Sequence, residues 1–161
     1  WRYLIGDTIR FTDTKKGEII ITGRTKHFLS LCGEHLTVEN MSKAVKMTAD
    51  QMNISIPEFT VAGVKHDNLF AHKWFLGTND DVTNTTEIKQ RLDKALTELN
   101  DDYGVERKAA LKEVFVETLP LKAFYEWLRE QGKEGGQHKF PRVLKGNLVE
   151  QWENFIMRFK V

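Results

Sequence analysis

Residues Phe59–Val64 and Leu69–Gly77 are two strand-forming runs separated only by a turn at His66-Asp67-Asn68. A parallel connection needs a dozen or more residues, so a link this short forces the two runs to pair antiparallel. That fixes a sheet near the middle of the chain. A second hairpin is expected at the start. Tyr3–Phe11 alternates apolar and polar residues, Glu18–Arg24 carries the run Ile19-Ile20-Ile21-Thr22, and Asp13-Thr14-Lys15-Lys16-Gly17 turns between them. A short strand, Phe28–Leu31, follows.

Elsewhere the apolar period becomes helical. Thr37 suits an N-cap, and Val38, Met41, Ala44, Val45, Thr48 and Met52 recur on one face after it. Asn84 with Glu87 three residues on predicts another helix start; Ile88, Leu92, Ala95, Leu96 and Leu99 form its apolar face, which ends by Asn100. Val114-Phe115-Val116 reads as a strand stopped by Pro120. Leu121, Phe124, Tyr125 and Leu128 share a helical face ending at Gly132, and Leu148, Trp152, Phe155, Ile156 and Phe159 share that of a last helix. Trp74, Phe75, Trp127 and Trp152 all fall within these patterns as core residues. The predicted class is α+β: a small mixed or antiparallel sheet with an opening β-hairpin, packed by about four helices.

The length of 161 residues fits one domain, spanning 1–161. With 40% hydrophobic residues the chain can bury a proper core, and a net charge of +1 gives no broad pull towards nucleic acid or membrane. No apolar run approaches the roughly 20 residues that span a bilayer. Cys32, the single cysteine, excludes an internal disulfide, suits a reducing cytoplasm, and is expected as a small buried residue. The five histidines show no metal-ligand spacing, so no metal site is expected. The chain opens on Trp1 with patterned sequence almost at once, so a larger part of the protein is expected upstream.

Two segments could carry chemistry. Gly6-Asp7 on the opening strand precedes Gly23-Arg24-Thr25-Lys26. A strand carboxylate can accept hydrogen bonds from both hydroxyls of a ribose, and an Arg across the hairpin can meet the same ligand with a fork of donors. The plainer account is a turn Asp paired with a nearby cation. The second is Lys139 in Gly135-Gly136-Gln137-His138-Lys139-Phe140-Pro141-Arg142, where glycines permit movement and the lysine offers a point charge for a phosphate or carboxylate. Its plainer account is a solvated basic loop. The chain has neither a GxxxxGKS phosphate loop nor a GxGxxG.

The series Gly6-Asp7, Gly23-Arg24-Thr25-Lys26, Gly33-Glu34-His35-Leu36 resembles the C-terminal domain of the adenylate-forming superfamily, which includes acyl-CoA synthetases, luciferases and peptide-synthetase adenylation domains. Val114–Pro120 is similar to the strand leading into its final lysine loop. Gly135–Arg142 resembles the Gln-Tyr-Lys-x-Pro-Arg loop of the auxin-responsive (GH-three type) acyl-acid–amido synthetases, and Leu4–Thr12 and Phe28–Leu36 resemble that family's bacterial form.

The resemblance implies a mobile C-terminal lid of an ATP-dependent ligase. Such an enzyme turns a carboxylic acid and ATP into an acyl-adenylate and pyrophosphate, and an amino acid then displaces AMP to give an amide. The resemblance gives Asp7 to the ribose hydroxyls, Arg24 to the ribose or phosphate side, and Lys26 to the hinge. Lys139 falls to the charge near the α-phosphate and carboxylate. ATP with Mg²⁺ would be bound mainly by a large N-terminal adenylation domain absent from this chain, so the chain alone is expected to be inactive. Partners would be that domain, a small carboxylic acid and an amino acid. Glu34 stands where the superfamily commonly has a basic residue and His138 where the family often has Tyr, which leaves Glu34 and His35 without an inherited role. The alternatives are the same lid from an acyl-CoA ligase and a non-catalytic α+β binding module.

Overall fold

The computed structural model describes residues 7–24, 28–82, 84–133 and 139–159, with side chains 7, 8 and 22–24 outside the described part. A four-stranded mixed sheet forms its centre. Strands β5 (Glu58–His66) and β6 (Leu69–Thr78) are the predicted antiparallel pair, in register from Glu58↔Gly77 to His66↔Leu69. Strand β7 (Leu111–Pro120) adds parallel to β6, and the short β8 (Val143–Leu144) adds parallel to β5, giving the order β7-β6-β5-β8.

Alternation along the central strands sends neighbouring residues to opposite faces. Val61 and Trp74 join one core with helices α1 (Val38–Met52) and α2 (Thr85–Leu99) and Tyr103 of α3 (Asp101–Ala109). Ala62 and Phe75 join a second core with α4 (Leu121–Glu130) and α5 (Asn147–Ile156). The sheet is therefore sandwiched, which bears out the α+β class. The core assignments of Trp74, Phe75, Trp127 and Trp152 hold.

The helix starts are set by side-chain caps. The Thr37 hydroxyl accepts from the Asn40 amide, and the Asn40 side chain accepts from the Thr37 amide, so α1 opens on a reciprocal capping box. At α2 only half of that device forms: the Asn84 side chain accepts from the Glu87 amide, while the Glu87 side chain pairs with Arg91. Helix α3 was not anticipated. Asn100 closes α2 and caps α3 by accepting from the Tyr103 amide at 2.7 Å.

The opening hairpin pairs β1 (Asp7–Asp13) with β2 (Glu18–Arg24), and its first pair is Asp7↔Arg24. Ile9↔Ile21 and Phe11↔Ile19 lie across from one another, and all four side chains are exposed. A small two-stranded pairing, β3 (Phe28–Leu29) with β4 (Leu36–Thr37), links the hairpin region to α1.

Candidate functional site

Lys139 is exposed, but the three residues after it are fixed by several independent contacts. Phe140 is 2% exposed and sits in an aromatic seat, its ring 4.8 Å from Phe124, 5.1 Å from Trp127 and 4.9 Å from Trp152. Pro141 offers its carbonyl to the Thr60 hydroxyl at 2.7 Å, and the Arg142 carbonyl accepts from the Val61 amide at 3.0 Å. The Arg142 guanidinium donates to Glu58 at 2.7 Å and lies 4.5 Å from the Phe59 ring centre. A rigid pedestal thus carries an exposed lysine, an arrangement able to offer a point charge to a ligand.

Arg142 also borders an open depression of about 360 Å³ shared with Lys46, Asp50, Ser55 and Phe59. Its cations are already answered within the protein: Arg142 by Glu58, and Lys46 by Asp50 at 2.8 Å.

For the ribose-binding pair, the backbone places Asp7 and Arg24 directly across the open end of the hairpin, so the register brings the two positions together. Their side chains lie outside the described part. Lys26 and residues Gly135–His138 also lie outside the described residues.

Sequence reasoning missed a buried polar site on the segment that joins β3 to β4. Glu34, which the resemblance left without a role, is fully buried and bonded to His72, also fully buried, with His72 Nε2 2.9 Å from Glu34 Oε1. The backbone amides of Leu31, Cys32 and Gly33 donate to the same carboxylate at 2.9, 3.0 and 3.2 Å. Burial pushes the Glu34 carboxyl up, but the bond from His72 and the surrounding amides outweigh it and hold the group down at about 2. Gly33, at φ +126°, adopts the backbone that wraps the loop around this acid.

Cys32 is half-buried, not fully buried as expected. Burial and then the Glu34 charge push its thiol up to about 12, so it is a poor nucleophile. The His72 ring lies tilted, 5.9 Å from that of Tyr103, whose hydroxyl donates to Asp93 at 2.6 Å; Asp93 also receives the Arg107 guanidinium at 2.8 Å. Burial raises the Asp93 carboxyl, while Arg107 and Tyr103 more than reverse this and hold it below its ordinary value. A glutamate following an otherwise apolar Leu31-Cys32-Gly33 was the only sequence signal for this network.

Among the described residues no group of three or more His, Cys, Asp or Glu could hold a metal ion, and no helix is long and apolar enough to cross a membrane.

No curated protein matches the chain by sequence. The solved structure of GH3.15 acyl acid amido synthetase superposes with a TM-score of 0.78 at 17% identity, over 98% of this chain and 30% of that one. A second, AtGH3.15 acyl acid amido synthetase in complex with 2,4-DB, gives 0.75 at 16% identity with the same coverage. The chain therefore spans under a third of the length of the structures it matches, and at these identities the likeness concerns the fold. The model of the GH3 family C-terminal domain matches residues 39–147. That is more than half of the chain, and the chain belongs to the GH3 family as a C-terminal domain of that kind.

Proposed function

We propose that this domain, residues 1–161, is the mobile lid of an ATP-dependent ligase that joins a carboxylic acid to an amino acid through an acyl-adenylate, releasing pyrophosphate and then AMP. The observation that carries the proposal is the exposed ammonium of Lys139 on the pedestal made by Phe140, Pro141 and Arg142. In the adenylating half, Lys139 stabilises the charge that grows on the α-phosphate and attacking carboxylate, the kind of term that usually dominates catalysis. Asp7 accepts from the ribose hydroxyls and Arg24 donates on the same side, which their pairing across the hairpin supports. ATP and Mg²⁺ are held chiefly by an N-terminal adenylation domain, in keeping with a chain that supplies one wall of the site.

Lid rotation about Lys26 separates the two half-reactions. The exposed apolar face of Ile9, Phe11, Ile19 and Ile21 supports a domain that packs against a larger neighbour, since single domains seldom expose such a contiguous patch without a partner for it. The ligase works on soluble substrates in the cytoplasm.

The test is made on the full-length protein in two steps. Carboxylic acids are screened for ATP–pyrophosphate exchange, and the best acid is then offered amino acids and thiols. Exchange followed by amide formation with an amino acid supports the reading. Exchange followed by thioester alone assigns an acyl-CoA ligase, and no exchange with any acid leaves a binding module.

A further inference from the structure

The buried carboxylate of Glu34 holds in place a loop whose tip is His35. This histidine has φ +40°, a left-handed backbone that is strained for a non-glycine residue and persists where its surroundings enforce it. Here they do. On one side Glu34 gathers the amides of residues 31–33; on the other Leu36 is fully buried, paired to Leu29. The His35 carbonyl accepts from the Asn100 side chain at 3.4 Å.

The constrained residue is not turned inward. The His35 side chain remains 64% exposed, with Nδ1 3.9 Å from Asp102 Oδ2 and its ring 6.2 Å from Phe28. The neighbouring charges are Asp102 and Glu106 on α3, with Lys145 over the other partner ring, Phe28. A rigid loop thus presents an imidazole to solvent with a carboxylate behind it, close to the segment that follows the hinge position, Lys26.

We propose that His35 is the general base of the amide-forming half-reaction, with Asp102, 3.9 Å from its Nδ1, as the carboxylate that faces the imidazolium; the proposal rests on the amido-ligase reading above. The chemistry of that half demands a base. The amino acid's neutral amine attacks the acyl carbonyl of the acyl-adenylate, the C–N bond forms, and the C–O bond to phosphate breaks. AMP leaves with that bond's electron pair, and the surplus proton on nitrogen passes to the imidazole. Histidine is the side chain most often used for such a transfer, which contributes typically about 10²–10⁴-fold. The adenylating half needs no such step, because the acid reacts as its carboxylate.

The test uses the full-length enzyme, the acid that gives the fastest exchange, and its synthetic acyl-adenylate. His35→Asn and His35→Gly both tolerate the left-handed backbone, so neither should disturb the loop. Both are expected to keep pyrophosphate exchange while amide formation from the synthetic adenylate falls by about 10²-fold or more. Added imidazole is expected to restore amide formation to His35→Gly but not to the wild type. Asp102→Asn is expected to slow the same half by a smaller factor. Unchanged amide formation in both His35 variants overturns the proposal and leaves a surface pair. Equal loss of both halves without imidazole rescue also overturns it, in favour of a docking role. Absence of any amide from the wild type refutes the ligase reading and takes this one with it.

Discussion

Leu31 lies directly against the bare backbone of Gly63: a Cβ added at Gly63 would stand 2.4 Å from one Leu31 methyl carbon and 2.7 Å from its Cγ. Gly63 pairs in register with His72, the residue bonded to Glu34. One rung of the central sheet therefore seats both the apolar and the acidic ends of the loop from Leu31 to Glu34. Gly63→Ala must displace the whole Leu31 side chain, and is expected to cost about 1–3 kcal/mol in urea unfolding. An unchanged midpoint would show that the loop is not seated there.

Glu34 makes stability depend on pH in a defined window. Its carboxyl falls from an ordinary 4.5 to about 2 on folding, so its contribution is fully present above pH 4.5 and is lost as the pH drops towards 2. Removing one partner of a buried pair typically costs about 3–5 kcal/mol. Glu34→Gln should show such a deficit at neutral pH, and the gap to the wild type should narrow through that acid window. A gap independent of pH would mean that packing, not charge, is what the substitution removes.

The aromatic seat of Phe140 links the second core to the lysine loop. Phe140→Ala leaves a void among Phe124, Trp127 and Trp152 and is expected to cost about 3–5 kcal/mol, with a change in tryptophan emission. Phe140→Leu keeps most of the buried volume and should fall well short of that loss. If Phe140→Ala unfolds like the wild type, the pedestal under Lys139 is held by the polar contacts of Pro141 and Arg142 with Thr60, Val61 and Glu58 and not by the aromatic seat.

Local signals survived into the structure, and long-range polar ones did not show in the sequence. Thr37 and Asn84 cap their helices because a cap depends on residues two or three apart, which a sequence displays directly. Helix α3 escaped notice because it contains Gly104 and buries only Tyr103, so it has no apolar stripe. Strand β7 is longer than Val114–Val116 because Lys112, Glu113 and Glu117 are tolerated on a strand at the sheet edge. Glu34 and His72 stand 38 residues apart, and only the fold makes them partners. The glycines and Pro141 around Lys139 mark that segment in the sequence, whereas the burial of Phe140 depends on two helices from different parts of the sequence.

The central claim is that Lys139 serves the first half-reaction and leaves the second alone. Lys139→Ala in the full-length enzyme should slow acyl-adenylate formation by about 10²-fold or more, the scale on which one charge-stabilising donor acts. Amide formation from supplied synthetic acyl-adenylate should stay close to wild type, because in the proposed cycle lid rotation carries Lys139 away between the halves. The decisive measurement is the ratio of these two rates in the variant and the wild type. A selective fall in the first rate is the predicted result; an equal fall in both, or no fall in either, would contradict the account.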